Sequence, residues 1–382
     1  MKCRACGAAE LEVVLSLGRT PLANSLLLAP DQEELTYPLD LAWCSACSLL
    51  QILDSVSPET IFREYLYFSS YSDTMLSHAR DLARGLVSER GLGHGSLVIE
   101  AGSNDGYLLR HFRDAGVSVL GIEPARNVAR VAEERGVRTV SEFFGAALAR
   151  GLGKADVFVA MNVLAHVPDV NDFVEGIRTV LKPGGVALIE TPYARDMIDL
   201  CEFDTIYHEH VFYYSVTALA RLLGRHGLRI DAVERVPIHG GSLRVRAVHG
   251  TGPAPVAEPW ALDRGYYAAF AARVARLKTS LLAVLEGKNL AGYGAAAKGA
   301  TLLNTVGVRG LRYVVDRNPE KQGKYMPGVR VPIFPPEHLL EAPAEYVLLL
   351  TWNFAEEIMA QQAEYVRRGG RFIIPIPEPR VA

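Results

Sequence analysis

Residues 207–214 bring acids, bases and hydrogen-bond donors together at a density that packing alone does not require. The segment reads Tyr207-His208-Glu209-His210 and continues with Val-Phe-Tyr-Tyr. Imidazole and carboxylate groups transfer protons near neutral pH, and phenols donate hydrogen bonds to developing negative charge. The two histidines could instead bind a metal, but their spacing with one carboxylate provides no clear third ligand. We therefore predict catalytic proton chemistry for the four residues from Tyr207 to His210.

A further histidine, His166, lies in the sequence NVLAHVPD after an apolar run that is typical of a buried parallel strand. Ligands of α/β folds bind at the carboxyl edge of such strands. We therefore predict that His166 joins the catalytic group. The alternative is a histidine that only packs or caps a helix.

The sequence SLVIEAGSNDGYLLRHF at 96–112 predicts a strand, a tight glycine turn and a helix. Such a turn leaves backbone N–H groups at a helix N-terminus and lets a ligand approach closely. The loop lacks G-x-G-x-x-G and carries carboxylates, which would repel a pyrophosphate but suit the ammonium and sulfonium charges of S-adenosylmethionine. Glu123 closes the next apolar run, and its carboxylate is placed to accept hydrogen bonds from both ribose hydroxyls. The predicted cofactor-binding residues are Glu100, Gly102, Asn104, Asp105, Gly106, Glu123 and Asn162.

The elements that must position this loop continue to residue 192. KADVFVAMNVLAHV predicts a third parallel strand, and LKPGGVALIETP predicts a helix end, a Pro-Gly-Gly turn and another strand. The run 96–192 resembles a class I methyltransferase domain. The alternative is an unrelated doubly wound fold in which the glycines only make a tight turn.

Two C-x-x-C pairs, Cys3 with Cys6 and Cys44 with Cys47, supply four thiolates for a structural zinc ion. The long gap between the pairs should carry strands or a loop of its own. Redox chemistry is the rival interpretation, but a thioredoxin-like motif would follow a βαβ pattern. The remaining Cys201 is predicted to be a buried apolar residue.

Further candidates for substrate binding lie outside these motifs. Three tyrosines precede a helix predicted from about Met75 to Glu89, and a glycine pair opens an alternating strand at 236–248. The tyrosines could equally be packing residues. The candidate substrate-binding residues of the two segments are Tyr65, Tyr67, Tyr71, His239, Gly240, Gly241 and Ser242.

A Pro-rich linker and a long amphipathic helix at 259–287 follow. The next sequence, NLAGYGAAAKGATLLN, predicts a second strand–turn–helix unit of the nucleotide-binding type. Gly292 and Gly294 form its turn, Lys298 lies in the first turn of the next helix, and a second strand ends at Asp316. A helix N-terminus with a lysine suits a diphosphate. The alternative is a degenerate Rossmann-like domain that only packs or dimerises.

Composition sets the broad class. The chain has 382 residues, 49% hydrophobic residues and a net charge of −3, so it can bury large cores but shows no basic surface for nucleic acid. No apolar run is long enough for a membrane span, and no signal peptide is recognisable, so we expect a cytoplasmic protein. We predict an α/β protein with a zinc-binding module at 1–74, a class I (Rossmann-like) methyltransferase domain at 75–251 and a smaller Rossmann-like domain at 252–382.

The ordered motifs, from the C-x-x-C pairs through EAGSNDG, YHEHVFYYS, HGGSLR and AGYGAAAKG to VDRNPEKQGKYMPG and TWNF, resemble the sugar C-methyltransferases of deoxysugar biosynthesis. The resemblance covers nearly the whole chain. It implies methylation of a ring carbon beside the 4-keto group of a dTDP-linked deoxysugar. It also implies His210 as the base, Tyr207, Glu209 and His166 nearby, and Lys298 facing the phosphates. The alternatives are an O- or N-methyltransferase on a similar sugar and a non-catalytic binding protein.

Overall fold

A computed structural model describes residues 1–63, 68–238 and 240–382 of the chain. Tyr65, Tyr67 and His239 lie outside these described residues. The described part of the chain is arranged around three β-sheets that follow one another in the sequence. None of its helices is both long and apolar enough to cross a membrane.

The N-terminal portion is an antiparallel sheet that fills the gap between the two cysteine pairs, as predicted. Its first strand alternates between buried and exposed side chains over residues 15–18, which is typical of a strand with one solvated face. Its elements are β1 (Leu11–Pro21), β2 (Thr36–Cys44), β3 (Leu50–Ile52) and α1 (Pro58–Phe62).

The central portion begins with helix α2 (Asp73–Arg90), whose N-terminus is capped by the Ser72 side chain and whose C-terminus meets the left-handed Gly91. The prediction of a helix from about 75 to 89 is close to this range. The following elements are β4 (Leu97–Ala101), α3 (Leu109–Asp114), β5 (Ser118–Ile122), α4 (Arg126–Glu134), β6 (Thr139–Val140), α5 (Ala146–Ala149), β7 (Ala155–Met161), α6 (Val170–Val180), β8 (Leu181–Pro192), α7 (Ala194–Asp199), β9 (Phe212–Tyr213), α8 (Val216–Arg225), β10 (Leu228–Val236) and β11 (Ser242–His249).

The central sheet has the strand order β10-β11-β8-β7-β4-β5-β6. β8, β7, β4, β5 and β6 are parallel, and β11 and β10 add an antiparallel edge. Strand β8 is longer than predicted, because the Pro-Gly-Gly residues lie inside its range, where its register against β7 shifts. The carboxyl ends of β4, β5 and β7 therefore meet at one edge, where ligands of α/β folds bind.

The short strand β9 does not join the central sheet. It pairs with β3, so that the N-terminal sheet has the order β1-β2-β3-β9. The backbone N–H of Ile52 also donates a 3.0 Å hydrogen bond to the carbonyl of Val211. The segment directly after His210 is thus built into the N-terminal sheet.

The C-terminal portion is a smaller α/β unit with the strand order β14-β13-β12-β15-β16-β17, parallel except for β17. The long helix predicted at 259–287 begins only at Arg264, after a 3₁₀ turn at Pro259–Leu262. The elements are α9 (Arg264–Leu285), β12 (Leu290–Tyr293), α10 (Ala297–Val306), β13 (Leu311–Val315), β14 (Ile333–Phe334), α11 (His338–Glu341), β15 (Tyr346–Leu349), α12 (Ala355–Gln361), α13 (Ala363–Arg367), β16 (Arg371–Ile374) and β17 (Arg380–Val381).

Candidate active site

A cavity of about 680 Å³ lies between the carboxyl edge of the central sheet and the N-terminus of α10. All three portions of the chain contribute to its wall. Its polar side chains include Asn24, Asn104, Glu123, Asn162, His166, Tyr207, His210, Lys298 and Lys321. Much of the remaining wall is apolar or aromatic and includes Phe62, Met75, Phe143, Phe144, Val163 and Phe354.

The predicted glycine turn connects β4 to α3 at this edge. Gly102 and Gly106 have φ angles of +63° and +77°, which only glycine adopts without strain. A Cβ atom on Gly102 would clash with Val163, and one on Gly106 would lie 2.8 Å from Cγ2 of Val137. The turn therefore needs glycine at both positions, and Gly102 lies in the cavity wall.

Glu123 follows β5 and lies beside this turn. Its carboxylate accepts hydrogen bonds from the backbone N–H of Asn104 at 3.0 Å and of Ala125 at 2.9 Å. Burial raises the pKa of Glu123 to about 7. Each carboxylate oxygen can accept more than one hydrogen bond, so the group can still meet two hydroxyls of a ligand in the cavity.

The other two acids of the loop do not line the cavity. Asp105 is fully buried and accepts hydrogen bonds from Nη1 of Arg135 at 2.6 Å and from the Ser70 hydroxyl. Glu100 is also fully buried, and among the described residues its carboxylate has no hydrogen-bond partner. Burial, together with the nearby Glu123 and Asp105, raises the pKa of Glu100 well above its usual value. Direct contact with a ligand in the cavity was predicted for both acids, and this geometry does not provide it.

Two asparagines of the central portion complete this part of the wall. Asn104 accepts a 2.9 Å hydrogen bond from the backbone N–H of Ser69, and Asn162 donates its own backbone N–H to the carbonyl of Glu190 at 2.7 Å. Both have positive φ, +49° and +55°, a conformation that asparagine tolerates better than most residues. Both residues line the cavity, and their predicted role in cofactor binding stays a prediction.

The segment 207–210 divides its side chains between two directions. Tyr207 and His210 face the cavity. The Tyr207 hydroxyl lies 2.8 Å from Nε2 of His210, and Nδ1 of His210 lies 2.9 Å from the carbonyl oxygen of Thr205. Because a carbonyl can only accept, Nδ1 carries a proton, and in the neutral ring Nε2 therefore accepts from the phenol.

His208 and Glu209 contact the N-terminal portion instead, His208 at β2 and Glu209 at the loop between β1 and β2. Nε2 of His208 lies 3.1 Å from the carbonyl of Pro38, and burial lowers the pKa of His208. The Glu209 carboxylate accepts two hydrogen bonds from Nδ2 of Asn24, at 2.7 and 2.9 Å. The prediction assigned catalytic proton chemistry to all four side chains. Residues 207–210 instead form a tight turn, closed by a 2.9 Å hydrogen bond from the backbone N–H of His210 to the carbonyl of Tyr207, and its two central side chains lie away from the cavity.

His166 lies next to His210, with 4.7 Å between the ring centroids. Its Nδ1 donates to the backbone carbonyl of Glu209 at 2.7 Å, which leaves Nε2 as an acceptor. Burial lowers the pKa of His166 to about 4, so the ring is neutral at ordinary pH.

In the C-terminal portion, Lys298 lies in the first turn of α10 and reaches the cavity wall. Its ammonium group is 4.4 Å from the centre of the Trp352 ring, and Nε1 of Trp352 donates a 2.7 Å hydrogen bond to the buried Asp204. The neighbouring Glu202 is also buried, which raises its pKa to about 8, although Lys298 acts in the opposite direction.

The other predicted residues of this unit shape the turn and do not line the cavity. The carboxylate of Asp316 accepts from the backbone N–H of Ala295 at 2.7 Å and of Asn318 at 2.8 Å. Gly294 has φ +96°, and a Cβ atom there would lie 2.6 Å from Oγ1 of Thr351. At Gly292 a Cβ atom would press against apolar side chains of the sheet.

Four more predicted substrate-binding residues do not line this cavity. Gly240 and Gly241 line a second cavity, of about 930 Å³, beside the C-terminal portion. Ser242 is buried and donates to the carbonyl of Ile238 at 3.0 Å. Tyr71 is half exposed and packs its ring 5.6 Å from that of Phe68.

The four predicted zinc ligands come together. The sulfur atoms of Cys3, Cys6, Cys44 and Cys47 all lie within 4.8 Å of one another, with 3.6 Å between Cys3 and Cys47 and 3.7 Å between Cys6 and Cys44. Tetrahedral Zn²⁺ with bonds of about 2.3 Å places its sulfurs about 3.8 Å apart. The cluster therefore fits zinc. Cys201 is buried, as predicted, which raises the pKa of its thiol to about 11.

Comparison with known proteins agrees with this arrangement. Three family models match consecutive parts of the chain, described as "Putative zinc binding domain" at residues 3–62, "Methyltransferase domain" at 75–233 and "C-methyltransferase C-terminal domain" at 237–377. These matches support the predicted cofactors, S-adenosylmethionine in the central portion and zinc on the cysteine cluster.

Among individual proteins, C-methyltransferase NovU of Streptomyces niveus is 39% identical over 405 aligned positions, which cover 100% of this chain and 96% of that protein. A ubiquinone biosynthesis O-methyltransferase of Ralstonia nicotianae is 36% identical over 103 residues, or 25% of this chain and 43% of that protein. A solved structure, magnesium protoporphyrin IX methyltransferase from Synechocystis PCC 6803 with bound SAM, has 16% identity and a TM-score of 0.37, and covers 46% of this chain and 79% of that one. On the full-length match and the three domain matches, the chain belongs to the C-methyltransferase family and is an enzyme of that class.

Proposed function

We propose that the enzyme transfers a methyl group from S-adenosylmethionine to a ring carbon beside the 4-keto group of a dTDP-linked deoxysugar. The observation that carries this proposal is the pairing of Tyr207 with His210 in the cavity wall, with Nδ1 of the histidine held by the Thr205 carbonyl. In the neutral ring, this arrangement holds the proton on Nδ1 and leaves Nε2 as the basic nitrogen on the phenol side, which suits removal of a proton from carbon.

The cofactor supplies an electrophilic methyl group, and residues of the central sheet edge would hold it. Gly102 lets the ligand approach the backbone, and the Glu123 carboxylate accepts hydrogen bonds from the ribose hydroxyls. Asn104 and Asn162 supply further polar contacts from the same wall. Asp105 supports the turn through Arg135 rather than touching the ligand.

The 4-keto group acidifies the neighbouring C–H bond. Nε2 of His210 takes that proton, and the electrons of the C–H bond move to form an enolate. The enolate carbon would then gain the methyl group, and the S–CH3 bond of the cofactor would break with its electrons staying on sulfur, so that S-adenosylhomocysteine leaves. When Nε2 accepts the proton, the Tyr207 hydroxyl is released from it and can donate to the enolate oxygen. The neutral His166 beside the ring adds no positive charge that would lower the basicity of His210.

We infer that the sugar nucleotide's diphosphate binds at the wall formed by the C-terminal portion. Ala296, Ala297 and Lys298 form the N-terminus of α10 in the cavity, where backbone N–H groups and an ammonium group favour anions. The Gly292–Gly294 turn and Asp316 set the position of that helix. We also propose boundaries at 74/75 and 251/252 for the three domains, and a reducing, cytoplasmic location that keeps the four zinc-binding thiols available.

The experiment follows the proton and the methyl group separately. Purified enzyme is given dTDP-4-keto-deoxysugars in deuterated water with S-adenosylhomocysteine in place of the methyl donor, and NMR reports deuterium at each ring position. We expect exchange at the carbon beside the ketone, and methylation of the same carbon once S-adenosylmethionine is added. Methylation at oxygen or nitrogen without carbon exchange would indicate the O- or N-methyltransferase alternative. Cofactor binding with no methylation of any sugar nucleotide would indicate a binding protein.

A further inference from the structure

The loop between β1 and β2 brings a side chain of the N-terminal portion into the cavity wall. Asn24 lies on this loop and lines the cavity. The loop is tied to the C-terminal portion, because Leu27 and Tyr325 exchange backbone hydrogen bonds of 3.0 and 2.8 Å. Farther along, the Glu34 carboxylate accepts from the backbone N–H of Gly328 at 3.0 Å. The loop that carries Asn24 is therefore anchored to the N-terminal sheet at its ends and to the C-terminal portion through Leu27 and Glu34.

Glu209 fixes which end of the Asn24 amide faces the cavity. Both carboxylate oxygens of Glu209 accept from Nδ2 of Asn24, at 2.7 and 2.9 Å. Because Nδ2 is the amide atom that faces the carboxylate, Oδ1 on the other arm of the amide points away from Glu209. Glu209 is only 3% exposed, and its backbone carbonyl accepts from His166, which holds the residue in place.

We propose that Asn24 is a specificity-determining residue, whose Oδ1 accepts a hydrogen bond from a hydroxyl or amino substituent on the substrate's sugar ring. This proposal rests on the proposed sugar-nucleotide function. An amide oxygen repels another acceptor, so Asn24 does not face the ketone or the enolate oxygen. It reads a donor elsewhere on the ring, and the N-terminal portion thereby takes part in substrate choice.

The test compares substrates that differ by one donor. A dTDP-4-keto-6-deoxyhexose is compared with its 2-deoxy and 3-deoxy counterparts, and the readout is the ratio of kcat/KM values between members of a pair. We expect the wild type to prefer one donor-bearing sugar by about tenfold, the effect of one ordinary neutral hydrogen bond. Asn24→Leu should bring that ratio close to one, whereas the exposed neighbouring Ser25→Ala should keep the wild-type ratio.

Asn24→Leu leaves Glu209 without these two hydrogen bonds and could therefore fail to fold. A second variant tests the same assignment independently. Glu209→Gln keeps the shape and retains Asn24, but its own amide can donate, so Asn24 is no longer held in one orientation. We expect the ratio to fall in this variant as well. If the wild type methylates these sugars and both variants keep its ratio, the assignment of Asn24 is wrong. If the wild type methylates none of them, the proposed function fails and the assignment fails with it.

Discussion

The Tyr207 hydroxyl donates a 2.8 Å hydrogen bond to Nε2 of His210, while Nδ1 of the same ring donates to the Thr205 carbonyl. One imidazole is thus held from both sides in a single tautomer. The pair lines the cavity together with residues from the cofactor loop and from α10. This relationship separates the two histidines of the segment, because His208 is bonded to the N-terminal sheet instead.

His210→Gln should abolish carbon–deuterium exchange and lower kcat for methyl transfer by about 10²–10⁴-fold, because the amide keeps the shape but cannot accept the proton. His208→Gln is the matched control in the same segment. It should retain exchange and show its effect mainly as a lower melting temperature. NMR exchange rates and calorimetry of cofactor binding distinguish the two outcomes. If His208→Gln or His166→Gln loses exchange while His210→Gln keeps it, the base is that other histidine.

Binding of S-adenosylhomocysteine should become stronger as the pH rises from 6 to 8. Burial raises the pKa of Glu123 to about 7, so at pH 6 most molecules carry a protonated carboxyl that accepts ribose hydroxyls poorly. For one group with this pKa, the dissociation constant should fall by about tenfold between those values. Titration calorimetry at several pH values measures this. Glu123→Gln should bind more weakly and lose the pH dependence. If the dependence persists in that variant, another group in the cavity is responsible.

Lys298→Ala should raise the KM for the sugar nucleotide by about tenfold or more, the range of a hydrogen bond to a charged group, and lower kcat much less. The diphosphate is remote from the reacting carbon, so its contact is the same before and during the reaction. Thymidine diphosphate alone should show the same loss of affinity by calorimetry. Lys278→Ala, on α9 and outside the cavity wall, is the charge-matched control. Unchanged binding of thymidine diphosphate to Lys298→Ala would place the phosphates elsewhere.

We expect one zinc ion per chain on Cys3, Cys6, Cys44 and Cys47. Cys44→Ser or a strong chelator should remove it and destabilise the N-terminal sheet, because metal-binding energy in small modules is folding energy. Hydrogen exchange should rise first at β3 and β9, whose pairing begins next to the cluster. Metal analysis and exchange by mass spectrometry measure both effects. Zinc content unchanged by Cys44→Ser would show that the four thiols are not the site.

Local patterns predicted the parts of the site that depend on nearby residues. The glycine turn, Glu123 after its strand and the lysine at the start of α10 were all placed from strand–turn–helix periodicity. The C-x-x-C pairs predicted their cluster because four thiols at that spacing have few other uses. In these cases the sequence separation within each element is short, and the geometry follows from the element itself.

Contacts between distant segments could not be predicted in the same way. Asp105 was expected at the ligand, but its partner Arg135 is supplied by a different helix region. Asn24 carried no signal in the sequence, because its role depends on Glu209, which is far along the chain. The aromatic wall also combines residues such as Phe62, Phe144 and Phe354 from separate elements.

The pairing of β9 with β3 has a consequence for how such enzymes can be recombined. A chimaera that joins the N-terminal portion of one relative to the remainder of another would place an unrelated β3 against β9, which follows His210 directly in the chain. It would also separate His208 and Glu209 from their acceptor and donor at Pro38 and Asn24. The segments that must be exchanged together are therefore not contiguous in sequence. A functional swap must carry residues 207–213 together with the N-terminal segment, and a cut at the linear domain boundary alone would separate them.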